Sequence, residues 1–478
     1  MTPQPALSLR ESDDIQGNIL AGLRKDRQTF LFLELPDEAR GRAWLGDLVP
    51  RGGPSRIAST REVAAFNREF SEARRKLGGA DPEGFKAVWV NLAVTASGLG
   101  KLAPRLRPGW ERFHAFTEGP VARAARLRDR GPSEPARWVV GRPDQAIDAL
   151  LTVAADDPAD LRLEVERMHA LAFRHGVALV SQQDGATLPG ARGYEHFGFK
   201  DGISQPGVVG FDEADDNRWT KGDAMIAAGE FVLGYVRAGG RAPWDHPAWM
   251  RDGSFQVFRR LRQDVHGWWA RVAEAVRELP GRDSMTEDLL GAKLVGRWRS
   301  GTPLARAPER EDVSAGERSH NNDFDFDGDA DGRTTPRFAH IRKMYPRDAA
   351  LRDDRRRILR RGIPFGPPFN PPADRGRGGD AERGLLFNAF MASIDEQFEH
   401  LQGAWANAPD FPGIAVGDRK RDGPDPVIGD DEAPLRLVRA RHADAEIEFR
   451  RFVETTGAVY AFAPSIRTLR DLGSGRLG

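Results

Sequence analysis

Two kinds of hydrophobic spacing alternate along this chain, and the alternation runs through it twice. Val88, Val90, Leu92 and Val94 recur at every second position, the period of a strand with one face in a core. Thr29 to Leu35 and Ala149 to Ala154 are apolar runs of strand length. Asp157 and Pro158 then form an N-cap and first-turn pair ahead of Leu161, Val165, Met168 and Leu171 at helical spacing. A Gly-rich stretch from Gly185 to Gly210 interrupts the pattern. Beyond it Glu230 to Val236, Ser254 to Phe258 and Leu385 to Met391 predict strands. Val265, Trp268, Val272 and Val276 predict a helix, and Thr286 to Gly296 another. Ser393 with Glu396 predicts a capping box, opening a helix whose apolar stripe is Ile394, Phe398, Leu401 and Trp405. There is no short tandem repeat. Strands alternating with helices in both halves predict an α+β fold of two similar domains, over residues 15–185 and 186–465. Residues 1–14 read as a flexible N-terminal tail and 466–478 as a C-terminal tail. Residues 302–335 read as a long charged loop of the kind that is functional or disordered.

At 478 residues the chain can bury a large core. It contains no Cys, which excludes disulfides, thiolate nucleophiles, Cys-held zinc, iron–sulfur clusters and thiolate-ligated haem. Any transition metal must be held by His and carboxylates. Lys plus Arg and Asp plus Glu both number 71, so net charge gives no reason to expect nucleic acid or an anionic membrane as partner. Local clusters such as Arg355, Arg356 and Arg357 remain compatible with small anionic groups. No stretch approaches the ~18 apolar residues of a membrane span, and no export signal is visible in Met1 to Ser12, so the expected location is cytoplasmic.

Three segments stand out as chemistry. Glycines flank the motif Gly198-Phe199-Lys200-Asp201-Gly202, which lets the backbone approach a ligand and presents a carboxylate. Asp201 so placed can be an acid/base, a metal ligand or a turn-former. His340 lies in Phe338-Ala339-His340-Ile341-Arg342-Lys343, among ten His residues of which no HExxH or similar set competes. It reads as a ligand or as a hydrogen-bonded core residue. Arg342, Lys343 and Arg347 surround it with positive charge, a setting that suits anionic groups beside a neutral imidazole. Ile358-Leu359-Arg360-Arg361-Gly362-Ile363-Pro364 is the third. The acidic run from Asp323 to Asp331 suggests calcium, yet its twelfth loop position is Thr334 or Phe338 rather than the Glu an EF-hand needs.

In this order and at these separations, the three segments resemble the dye-decolourising peroxidase family. So do Asp14 to Leu20, Phe258 to Val265 and Gly384 to Phe387, which carries the resemblance from about residue 14 to the end. Thr335-Pro336 stands where many relatives have Cys-Pro. The resemblance implies two ferredoxin-like domains with antiparallel sheets and packed helices, and haem b (iron protoporphyrin IX) in the C-terminal one. It implies His340 as the axial ligand of the haem iron, Asp201 as distal acid/base, Arg360 as distal cation, and Leu385 and Phe387 as distal walls, with Arg342 toward the cofactor. Arg360 is preferred over Arg361 because the family's distal Arg stands four residues before the Pro, and adjacent side chains of an extended segment point oppositely. Arg361 would then point outward or pair with a surface carboxylate. Asp425, in Gly423-Pro424-Asp425-Pro426, is the implied acceptor for His340, or a simple turn Asp. The implied partners are hydrogen peroxide and an organic, dye-like or phenolic reductant, and a homo-oligomer is compatible. The 11 Trp and 4 Tyr carry oxidising equivalents outward or simply pack the core. The rival reading is a haem carrier or iron-releasing protein without peroxidase turnover, which would not require an Asp/Arg pair. Leu472 to Gly478 faintly resembles a cargo tag for an encapsulating shell and reads more simply as a disordered Gly/Ser tail.

Overall fold

In the computed structural model, the residues described are 8–212, 225–280, 285–316, 320–369, 381–412, 422–429, 433–439 and 443–477. The strands of the first half are β1 (Arg27–Glu34), β2 (Trp89–Val94), β3 (Ala149–Ala155) and β4 (Ala178–Ala186). A short parallel pair follows, β5 (Gly207–Val208) with β6 (Met225–Ile226). The second half adds β7 (Ser254–Gln263), β8 (Leu359–Arg360), β9 (Ile363–Phe365) and β10 (Gly384–Met391). It closes with the small hairpin β11 (Leu435–Leu437) and β12 (Ala445–Ile447), then β13 (Val453–Ala463).

The main sheet runs β4-β1-β3-β2-β13-β7-β10-β8, with β9 also on β10. Its pairings are antiparallel. Each half repeats one order, last strand, first, third, second, if β8 and β9 count together as the second strand of the C-terminal half. The halves join where Phe462 of β13 pairs with Val94 of β2.

Strand periodicity explains why one sheet serves two cores. Leu31 and Leu33 of β1 enter one core together with Phe255 and Val257 of β7 and Ala389 and Met391 of β10. Phe30 and Phe32 enter the other, with Phe258 and Phe390. A third core lies under the helices Val265–Glu278 and Glu287–Val295, and includes Phe197 and Phe199 of the Gly-rich stretch. Among the described residues no helix is long and apolar enough to cross a membrane.

Several expectations need correction. Glu230 to Val236 is not a strand but a 3₁₀ turn at Ala228–Glu230 followed by a fold-back. A Cβ on Gly229 would lie 2.2 Å from the Tyr235 carbonyl oxygen, and Gly234 has φ +96°, so these glycines let the chain double back. Residues 8–14 are not a loose tail, since Leu9 is buried and its N–H bonds the Gly210 carbonyl; residues 1–7 lie outside the described set. The C-terminal segment is likewise no tail. Ser465 caps a helix, Ile466–Gly473, whose Ile466, Leu469 and Leu472 are buried, and Leu477 packs on the same core. The stripe from Ile394 to Trp405 is buried as expected, in two wide π-helical segments, Ile394–Glu399 and Leu401–Ala406. The reciprocal partner of the Ser393 cap is Gln397, not Glu396.

Candidate active site

A cavity of about 280 Å³ opens among β7, β10, the Gly-rich stretch and the helix His340–Met344. Asp201, His340, Arg360, Leu385 and Phe387 all line it; Arg342 does not.

The loop that carries Asp201 is built by its own polar groups. Asp201 N–H bonds the Gly193 carbonyl, and Glu195 N–H bonds that of Phe199. The Glu195 carboxylate accepts from the N–H groups of Phe197 and Phe199, both at 2.9 Å, and from the Gln263 amide on β7 at 2.6 Å. Phe197 stacks on Trp268 and Phe199 on Trp269, which ties the loop to the helix behind it. Gly198 and Gly202 take φ of +90° and +77°, as the tight loop requires.

Arg360 enters from β8, where it pairs with Ala389 of β10. The Gln205 side chain mimics a strand edge, donating to the Arg360 carbonyl and accepting from its N–H. Arg360 Nη1 donates to Asp201 Oδ1 at 2.7 Å. Burial acts to raise the Asp201 pKa, but the charge of Arg360 and the N–H of Gly202 outweigh it, so the carboxyl sits below its ordinary value. Arg361 points elsewhere, as extended backbone dictates. Its guanidinium donates to the carbonyls of Asn18, Ile19 and Leu20.

His340 opens its short helix, with Nδ1 2.7 Å from Asp425 Oδ2. An ionised carboxylate only accepts, so Nδ1 donates and Nε2 is the nitrogen left to coordinate. Asp425 is both acceptor and turn-former, because Oδ1 takes the N–H groups of Val427 and Ile428. Arg342 is fully buried on the far side of the helix, where its guanidinium bonds the carbonyls of Asp329 and Thr335 and the Asp348 carboxylate. Lys343 donates to the carbonyls of Trp405, Ala408 and Phe411, and burial lowers its pKa to about 8. The cations that do line the cavity include Arg297, Arg347 and Arg357.

Carboxylates of the acidic run cap backbone N–H groups. Asp325 caps the Asp327 N–H, Asp327 that of Ala349, and Asp329 those of Arg333, Thr334 and Thr335. Among the described residues no three His, Cys, Asp or Glu side chains converge as a metal site.

Residues 14–189 match the family model of the DyP dimeric alpha+beta barrel domain, and 196–411 that of the Dyp-type peroxidase C-terminal domain. The chain is 30% identical to the dye-decolorizing peroxidase of Exidia glandulosa, over 98% of this chain and 88% of that one. It is 31% identical to the multifunctional dye peroxidase DyP2 of an Amycolatopsis species, over 96% and 95%. It superposes on the structure of an ancestral D-type dye-decolorizing peroxidase with a TM-score of 0.82 and 31% identity, covering 98% and 99%. The chain belongs to the dye-decolourising peroxidase family. It is a peroxidase, and the family is haem-dependent.

The residues present fit a haem. His340 Nε2 would hold the haem iron, since a carboxylate engages Nδ1 of the same ring, the usual arrangement behind a metal-bound His. Ile341, Met344, Leu385, Phe387 and Leu401 give the cavity apolar lining, while Arg297, Arg347 and Arg357 suit propionates. Sequence reasoning missed Gln205 and Glu195. Both lie within six residues of Asp201, so proximity to the motif was the available signal.

Proposed function

We propose that this peroxidase holds haem b on His340, reduces hydrogen peroxide with Asp201 and Arg360, and oxidises an organic, dye-like or phenolic reductant. The observation that carries the reading is the Asp201–Arg360 pair in the same cavity as the Asp425-backed His340. A carrier would require no such pair. When bound, haem would supply a redox-active iron for the reduction of peroxide.

The side chains do the rest. Asp201 is ionised at neutral pH, so it can take the proton from one peroxide oxygen and return it to the departing one. Arg360 keeps its charge at any relevant pH and stabilises the negative charge that develops on that oxygen. Leu385 and Phe387 line the cavity with apolar surface, which strengthens both effects. Asp425 holds the His340 ring in one tautomer and makes it more electron-donating.

The test is a stopped-flow record of the absorbance change when peroxide meets the haem-loaded protein. Asp201→Asn should slow it by ~10²–10⁴-fold with haem content unchanged. An unaltered rate in that variant would leave Asp201 as a loop residue and overturn the assignment.

A further inference from the structure

A second, more polar hollow of about 500 Å³ adjoins the first, lined by Asn18, Leu20 to Lys25, Gln28 and Ser71, with exposed residues such as Arg24 and Gly193 on its rim. Its wall and that of the cavity share Glu195, Asp201, Gly202, Ile203, Arg360 and Leu385. Three of these are ionisable. Arg360 does not release its proton in this range. Asp201 carries none at neutral pH.

Peroxide reduction consumes protons: one hydrogen peroxide, two protons and two electrons give two waters. Asp201 can shuttle a proton from one oxygen to the other, but it cannot by itself supply the two that the peroxide half-reaction consumes. Resting on the peroxidase reading, we infer that Glu195 is the proton store of the distal site, filled from the polar hollow and emptied toward the cavity through Asp201. In each transfer a proton leaves the Glu195 carboxyl for the Asp201 carboxylate, Asp201 passes it to reduced oxygen, and solvent in the hollow reprotonates Glu195. No electrons move in these steps.

The surroundings fit the role. Burial is the main influence on Glu195 and pushes its pKa up to about 7; the N–H groups of Phe197 and Phe199 and the Gln263 amide hold it down, and the nearby Asp201 charge adds to the rise. From β7 comes the uncharged Gln263, while Arg383 stands close enough to act on the neighbouring His196. His196, next in the chain, bonds the Phe365 carbonyl, and burial lowers its pKa to about 4, so it is neutral here. Glu195 is therefore a carboxyl that gains and loses a proton near neutrality, on a wall shared by both hollows.

Glu195 also braces the loop, so the experiment separates the two roles. Haem-loaded wild type, Glu195→Gln and Gln263→Leu are followed from pH 5 to 9 by steady-state turnover, by the first peroxide-induced absorbance change, and by the infrared carbonyl band of protonated carboxyls. In wild type, turnover falls as pH rises through about 7, and a carboxyl band disappears over the same range. In Glu195→Gln the band and the inflection are absent and turnover at pH 6 falls by ~10²-fold, well beyond the loss in the first step. Gln263→Leu removes a donor to the carboxylate, so band and inflection move together to higher pH. A pure brace would lower both rates equally at every pH and keep the inflection, which would overturn the proposal. So would a wild-type protein with no carboxyl band titrating near pH 7, a result that needs no turnover. A haem-loaded wild type inert to peroxide would instead refute the peroxidase reading, and the infrared titration would still decide whether Glu195 holds the proton.

Discussion

Arg360 and Arg361 are neighbours whose guanidinium groups serve different ends. Arg360 reaches Asp201, and Arg361 clamps three backbone carbonyls of the N-terminal segment. Arg360→Leu should therefore slow the reaction with peroxide by an amount equivalent to about 3–4 kcal/mol, with the melting temperature little changed. Arg361→Leu should do the reverse, costing roughly 1.5–3 kcal/mol of stability for hydrogen bonds from a charged donor. Stopped-flow rates and denaturant melts on the same two variants check both halves, and the opposite ranking would move the distal role one residue along. Arg360 also sets the acid limit of the first step. Because it holds Asp201 below the ordinary carboxylate value of about 3.9, the wild-type rate should persist until the pH drops below that value. In Arg360→Leu the acid limb should shift upward, since burial then acts on Asp201 with less opposition. A pH profile with an unmoved limb would deny the coupling. The choice of Arg360 was legible from strand alternation and motif spacing. The partners of Arg361 were not, because carbonyls more than 300 residues away leave no local mark. Arg342 was misjudged for a physical reason that was available. It lies two positions from His340 on a helix, and residues two apart do not share a face.

At the scale of elements, β1, β2, β3, β7 and β10 were written in the sequence as apolar runs or alternations. The C-terminal helix was written there too, as Ser465 followed by Ile466, Leu469 and Leu472 at helical spacing, but the Gly and Ser around it obscured the stripe. Leu469 is fully buried in the core that holds Leu45 and Leu48 of the helix Glu38–Leu48. Leu469→Ala should therefore cost about 2–5 kcal/mol in a denaturant melt, as other buried leucines do. A loss under about 0.5 kcal/mol would show that the helix only rests on the surface. The segment Glu230 to Val236 misled in the opposite sense. Phe231, Val232 and Leu233 are buried, but Gly229 and Gly234 turn the segment back on itself and leave Val236 exposed, and hydrophobicity without regard to the glycines reads as a strand.

Across the whole molecule, the two halves repeat one strand order yet are not independent. Side chains from β1, β7, β10 and β13 share both sheet-face cores, so neither half can lose its strands without opening the other. Calorimetry should show one unfolding transition rather than two, displaced upward by haem because a ligand of the folded state stabilises it by mass action. Two separated transitions would mean that the halves fold alone. The repeat was legible as alternation on either side of the Gly-rich stretch; the shared cores were not, because strand pairing between β2 and β13 is set by tertiary contact. The site depends on that assembly, with His340 on a short helix, Asp425 from a distant turn, and Asp201 and Arg360 from a loop and a strand. The central claim is that these residues converge on one haem with His340 as its axial ligand. Titration of haem-free protein with ferric haem, read by absorbance for wild type and His340→Ala, tests it most directly. Wild type should saturate at one haem per chain with the Soret band of a His-ligated ferric haem, and His340→Ala should bind weakly or lose that band. An identical spectrum and end point in His340→Ala would contradict the account.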